Sequence, residues 1–229
     1  DTSDIISYGL QIKGVEVTAI DTKEKKLKLD NGENLYYEKV LLATGASSFL
    51  PPIENLRTAN NVIGLRNLDD AIKIKEIAPK VNNIIILGAG LVGVDAMAGL
   101  LDYDAKVTMI EMGDRILPLQ LDHYAANVYI ERLKEEGVDF RFNVRAEKVI
   151  VDENNNPVAI KLNTGEEVPG ELIIACTGVR SNVGFLEGSG IECDKFGLIF
   201  NPKGETNVKE VYGAGDISGR NPIWPTAVK

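Results

Sequence analysis

Asn83-Ile84-Ile85-Ile86-Leu87-Gly88-Ala89-Gly90-Leu91-Val92-Gly93-Val94-Asp95 decides the fold, together with Val107-Thr108-Met109-Ile110-Glu111 beyond the next helical segment. The unbroken apolar run is what a parallel strand covered on both faces requires. Three glycines follow at G-x-G-x-x-G spacing, and an acid closes the second apolar run. Gly88 lets the chain turn sharply off the strand, Gly90 offers no side chain that would hold a pyrophosphate off the backbone, and Gly93 lets the helix approach the sheet. A pyrophosphate is then expected at the helix N-terminus beside Leu91 and Val92, where unpaired N–H groups and the positive end of the dipole favour anions. Glu111 lies about 20 residues on, where a carboxylate accepts hydrogen bonds from adenosine ribose hydroxyls and repels a 2′-phosphate. The unit is expected to take NAD(H) in preference to NADP(H).

The composition narrows the classes around this unit. A chain of 229 residues has room for two ordinary domains. Apolar content of 44% with 26% charged residues is that of a globular protein. No apolar run approaches the ~20 residues of a membrane span. A net charge of −9 argues against nucleic acid or an anionic membrane as partner. Cys176 and Cys193 have neither C-x-x-C spacing nor histidines around them, so neither a metal site nor a redox disulfide is expected. Cys176, in Leu172-Ile173-Ile174-Ala175-Cys176, reads as a small buried thiol and Cys193 as a loop residue. His123 reads as an exposed residue in a first helical turn. With no signal peptide at its start, the chain is expected in a reducing cytoplasm.

Upstream, Val15 to Ile20 and Lys25 to Leu29 with Asn31-Gly32 read as an antiparallel meander, followed by a buried strand, Val40-Leu41-Leu42-Ala43-Thr44-Gly45. Pro51-Pro52 breaks the chain. Val62 to Gly64 forms a short strand, and Asn67 to Ile77 a helix with acids at its start. After Glu111, Arg115 and its loop lead to Asp122, an N-cap for a helix that Gly137 ends, and Val138 to Phe142 is another strand. Glu147 to Val151, Val158 to Leu162 and Glu171 to Gly178 then repeat the opening of the chain. Gly9-Leu10-Gln11-Ile12 parallels Gly137-Val138-Asp139-Phe140, Ile20-Asp21 parallels Val151-Asp152, and Asn31-Gly32 parallels Thr164-Gly165. Val40 to Gly45 parallels Leu172 to Gly178. Since a nucleotide-binding unit precedes the second copy, a first such unit is expected upstream of Asp1. The C-terminus reads as cut where a segment after Pro225 could begin a helix.

Near the end stands Thr206-Asn207-Val208-Lys209-Glu210-Val211-Tyr212-Gly213-Ala214-Gly215-Asp216, a short strand delivering small residues and an aspartate. With Gly88-x-Gly90-x-x-Gly93, Ala43-Thr44-Gly45 and Cys176-Thr177-Gly178-Val179-Arg180-Ser181-Asn182, it resembles the pyridine nucleotide-disulfide oxidoreductases. Leu117-Pro118-Leu119-Gln120-Leu121-Asp122 is similar to the branch with NADH oxidases, the NADH-binding module of nitrite reductase, and rubredoxin or ferredoxin reductases. The resemblance implies an α/β fold of the two-dinucleotide-binding-domain flavoprotein type. A Rossmann-like NAD domain and β-meander, residues 58–180, would be inserted in an incomplete FAD-binding domain, residues 1–57 and 181–229.

The cofactors so implied are FAD and NAD. Asp216, preceded by Gly215, matches the aspartate that bonds the flavin ribityl chain, and Ala43-Thr44-Gly45 match the turn beside FAD. Arg66 matches an arginine close to the flavin, and Val17 lies in the strand passing the adenine. Arg115 and Gly178 belong to the nucleotide-side set. Asp95 stands where glutamate near the nicotinamide is usual, one methylene shorter, and Asp104 where glycine is common. No acid, base or nucleophile is implied; hydride passes from NADH to flavin through stacking geometry. The enzyme implied is an FAD-dependent NADH oxidoreductase, with this stretch, as an isolated piece, inactive and weak in FAD binding. The acceptor stays unspecified, and a homodimer stays open. The alternative is a non-catalytic NAD(H)-binding module sensing the NADH/NAD ratio. An ordinary dehydrogenase is disfavoured, since no His, Tyr-Lys or Cys set accompanies the nucleotide unit.

Overall fold

A computed structural model describes residues 12–219. Gly9, Leu10 and Gln11 of the first repeat, and the segment after Pro225, lie outside the described residues. The strands are β1 (Val17–Asp21), β2 (Lys26–Leu29), β3 (Asn34–Tyr36), β4 (Val40–Leu42), β5 (Ala46–Ser48), β6 (Val62–Gly64), β7 (Asn83–Leu87), β8 (Lys106–Ile110) and β9 (Asp139–Arg141), then β10 (Ala146–Val151), β11 (Pro157–Leu162), β12 (Glu167–Pro169), β13 (Leu172–Ala175), β14 (Val179–Ser181) and β15 (Val211–Gly213). The helices are α1 (Leu68–Ile77), α2 (Leu91–Ala98) and α3 (His123–Glu135). The chain divides into two compact units, residues 1–47 with 180–229, and residues 48–179.

The larger unit has three layers. Its centre is a parallel sheet in the order β6-β13-β7-β8-β9. β7 shows why its sequence is apolar throughout. Ile84 and Ile86 face a cluster with Ile74, Met97, Ala126 and Ile130 of the helices. Ile85 and Leu87 face the opposite cluster with Val149, Ile160, Leu162 and Val168 of the β10-β11-β12 meander. All four are at most 3% exposed, and burying an aliphatic side chain of this size contributes roughly 1.5–3 kcal/mol. Residues 48–57 carry Leu56, wholly buried in the meander-side cluster.

Local signals set the helix starts. Asn67 accepts from Asp70 N at 3.0 Å while the Asp70 carboxylate accepts from Asn67 N at 3.0 Å, a reciprocal capping box. Asp122 caps α3 by accepting from Ala125 N at 2.8 Å. Gly137, at φ 88°, turns the chain out of that helix. Asp104 is not among the residues with left-handed backbone, so an aspartate there carries no strain of that kind.

In the smaller unit β1-β2-β3 form an antiparallel meander, and β4 pairs parallel with β15. Ile20, Leu42, Leu198, Val211 and Ile217 form its core. The expectation of a buried strand at 40–45 is corrected here: Leu42 is 4% exposed but Leu41 is 61% exposed. Among the described residues β4 has only β15 beside it, so one face of its central residue stays open to solvent.

Candidate functional site

Strands β7, β8 and β13 deliver their C-terminal ends to one cavity of about 640 Å³. That is within the ~300–1,000 Å³ usual for small-molecule sites, and ligands of open α/β sheets collect at these strand ends. Gly88, Gly90, Glu111, Met112, Arg145, Glu147, Cys176 and Thr177 contribute to its wall.

Each glycine of the turn has its own reason. Gly88 has φ 100°, and a Cβ on it would stand 2.6 Å from the Cys176 carbonyl oxygen. On Gly93 a Cβ would lie 2.0 Å from the Gly88 carbonyl oxygen. Close packing of the turn on the end of β13 therefore demands glycine at 88, and close packing of α2 on the turn demands it at 93. Gly90 differs: a Cβ there meets no protein atom within 4 Å. The fold does not require its glycine, whereas close approach of a ligand to the backbone does. Gly90 is also the N-cap of α2 with no side-chain cap bond, so first-turn amides remain for an anion.

Glu111 follows β8 directly. Its carboxylate accepts from Ala89 N at 2.8 Å through Oε2 and from Gly113 N at 2.7 Å through Oε1. It thus ties the glycine-rich turn to the loop after β8. Two oxygens with about four acceptor sites retain capacity for two ribose hydroxyls.

The remaining sequence-predicted residues separate. Leu91 and Val92, 50% and 47% exposed, open α2. Asp95, further along α2, does not line the cavity; it lines a second cleft with Leu65, Ala71, Lys75 and Tyr103. Arg115 is engaged by its own loop, donating to Leu121 O at 3.1 Å, Pro118 O at 3.1 Å and Asp114 Oδ1 at 2.8 Å. Arg66 is exposed before α1, its backbone N–H donating to Asp70. Gly178, at φ 97°, bonds through its carbonyl to Phe49 N at 2.9 Å. Burial pushes the Cys176 thiol up to about 12, so it stands in the wall as a protonated, unreactive group.

In the smaller unit the parallel pairing of Gly213 with Leu42 brings Gly215-Asp216 beside Ala43-Thr44-Gly45 at the strand ends. The Thr44 hydroxyl donates to Asn182 O at 2.9 Å, and Asn182 Nδ2 donates back to Thr44 O at 2.9 Å. Val17 is half-buried in β1.

Met112, Arg145, Ala146, Glu147 and Pro51-Pro52 were not singled out from the sequence as cofactor residues, yet all line the cavity. For Ala146 a signal existed. Val17 pairs with Leu29 as Ala146 pairs with Leu162, so Ala146 is the second-copy counterpart of Val17.

A parallel sheet with a glycine-rich turn, an open helix N-terminus and a carboxylate after the next strand defines a Rossmann-type dinucleotide-binding protein. Residues 7–229 match the pyridine nucleotide-disulphide oxidoreductases, and the chain belongs to that family. Its members bind FAD and NAD(H), and the fold is their two-dinucleotide flavoprotein type. The chain is 32% identical over 218 residues to a dihydrolipoyl dehydrogenase of Acholeplasma laidlawii, a match that covers 94% of this chain and 62% of that protein. It is 30% identical to the NADH-dependent phenylglyoxylate dehydrogenase subunit epsilon of Aromatoleum evansii, over 92% of this chain and 49% of that one. Among solved structures, an NAD-dependent persulfide reductase from A. fulgidus superposes with a TM-score of 0.83 at 28% identity, covering 89% of this chain and 38% of that one. The chain thus spans between about half and three-fifths of the length of these two curated relatives. Among the described residues, no helix is long and apolar enough to cross a membrane.

Proposed function

We propose that this chain is the NADH-accepting part of an FAD-dependent oxidoreductase. The observation that carries the reading is Gly90, whose missing side chain the protein does not need and a bound pyrophosphate does. The amides at the start of α2 hold the pyrophosphate, Glu111 accepts from the adenosine ribose hydroxyls, and Met112 with Ala146 gives the base an apolar surround. Leu91 and Val92, the first residues of α2, contribute their backbone N–H groups to that anion site. Gly178 follows Thr177 of the cavity wall, Arg115 braces the loop that carries Glu111, and Arg66 and Asp95, which lie away from the cavity, have no part in holding the nucleotide in this reading.

Ala43-Thr44-Gly45, Gly215-Asp216 and Val17 hold FAD in this reading. The short parallel pair that sets the first two groups side by side fits that use. FAD, when bound, supplies the two-electron chemistry; the protein's own part is to bind, align and keep the site dry. The NAD domain corresponds to residues 58–180 together with 48–57, which pack in its core and line its cavity, and the FAD-side pieces to 1–47 and 181–229.

Anaerobic addition of NADH to a flavin-loaded form that also carries an upstream FAD-fingerprint unit is expected to bleach the flavin's visible absorbance. Saturable NADH binding with no bleaching would contradict hydride transfer and leave a binding module in its place.

A further inference from the structure

We infer that two carboxylates, Glu111 and Glu147, set the nucleotide preference of the cavity, and that Glu147 does so by occupying Arg145, the cation otherwise placed to take a 2′-phosphate. The inference rests on the nucleotide reading above and deepens it.

Backbone bonds put these groups on one wall. Glu111 N donates to Arg141 O at 2.9 Å, Asn143 N to Gly113 O at 2.9 Å, and Val144 N to Glu111 O at 3.4 Å. The loop carrying Glu111 and the segment entering β10 are thereby laced together, and Arg145 is the next residue. Asn163 fixes it from the other side, accepting from Arg145 N at 2.8 Å while its own N–H donates to Arg145 O at 2.9 Å. The backbone of Arg145 is thus held at both its N–H and its carbonyl.

Glu111, Arg145 and Glu147 all line the cavity. Arg145 Nη2 stands 3.8 Å from Glu147 Oε1, and the two side chains are 63% and 47% exposed. At that separation and exposure the pair is loose, and such pairs exchange partners readily. A 2′-phosphate entering beside Glu111 would meet Arg145, whose planar fork suits phosphate. Against it stand two carboxylates, one repelling the phosphate directly and one competing for the guanidinium. Of the other arginines near this loop, Arg115 makes three bonds within the loop and Arg141 donates to Asp139 and Glu166, and neither lines the cavity. The balance among three charged groups around one cavity is therefore what a nucleotide with or without a 2′-phosphate encounters.

The test is to titrate the protein with NADH and with NADPH at low ionic strength, following nucleotide fluorescence, and to compare the ratio of the two Kd values. The proteins are the parent chain, Glu147→Gln, Glu111→Gln, the double variant, and the double variant with Arg145→Gln added. Glu147→Gln alone is expected to shift the ratio toward NADPH about threefold, the size of a loose surface pair. Glu111→Gln should shift it about tenfold, and the double variant further. Adding Arg145→Gln should return most of that gain while NADH affinity changes little. An unchanged ratio in Glu147→Gln, or a gain that survives Arg145→Gln, overturns the inference and leaves the nucleotide reading standing. If the parent chain binds neither nucleotide, both fall together. Since Arg145 and Glu147 are exposed, Glu147→Gln should melt with the parent chain, whereas the variants with Glu111→Gln lose one acceptor for Ala89 N or Gly113 N and are compared with one another at matched folded fraction.

Discussion

The two meanders are built with the same bonds and end in different surroundings. In the first, Leu29 N bonds Glu33 O and Gly32 N bonds Leu29 O; in the second, Leu162 N bonds Glu166 O and Gly165 N bonds Leu162 O. Asp30 N to Glu16 O, with Glu16 N to the Asp30 carboxylate, is matched by Asn163 N to Arg145 O, with Arg145 N to the Asn163 side chain. Each first strand shifts register at the same place, between Val17 and Ala19 and between Ala146 and Lys148. Burial does not follow the bonds. Ile160 and Val168 are 0% and 4% exposed under the five-stranded sheet, whereas Leu35, the counterpart of Val168, is 40% exposed. Leu41 is 61% exposed where its counterpart Ile174 is 0%. Local sequence dictates a meander; its energetic weight comes from what lies against it.

The difference can be broken at several points. The largest effect is expected at Gly93, where any Cβ would stand 2.0 Å from a backbone oxygen. Gly93→Val should unfold or displace the turn, lowering Tm and removing NADH binding together, read by thermal melting and titration. Next, Ile174→Ala should cost about 2–5 kcal/mol in denaturant unfolding of its unit, while Leu41→Ala stays within about 0.5 kcal/mol. Equal costs would mean that the two strands are not as differently covered as the burial states.

The smallest effect is acid-dependent and common to both copies. Backbone N–H groups, foremost that of Glu24, hold the Asp21 carboxyl below its ordinary value, and those at Asn156 do the same for Asp152. A lowered folded-state pKa gives stability that is present above the ordinary carboxylate value of about 3.9 and is lost as pH falls through the lowered one. Asp21→Asn and Asp152→Asn should each flatten the acid limb of the stability curve slightly, and by similar amounts. A strong effect in one copy alone would set the two turns apart.

How much of this was legible in the sequence follows the same line between local and distant. The glycine spacing, the cap at Asp122, the acids that open the helix after Asn67 and the repeat itself are short-range patterns and appear where the residues placed them. The exposure of Leu41 depends on which strands pair with β4, and no window around residue 41 contains that. The cavity wall draws Pro51, Met112 and Arg145 from three separate segments, so only Ala146 could have been found beforehand, by carrying Val17 across the repeat. Arg115 belongs to the nucleotide-side set that the resemblance implies, but its guanidinium is bound to carbonyls of its own loop, which no sequence pattern contains.

Gly90→Val tests the central claim most directly, because a Cβ there meets no protein atom within 4 Å. Thermal melting should match that of the parent chain while NADH titration shows binding weakened at least about a hundredfold, the loss expected when backbone is kept from a pyrophosphate. A Gly90→Val protein that melts normally and binds NADH as the parent does would contradict the assignment of this cavity to the nucleotide.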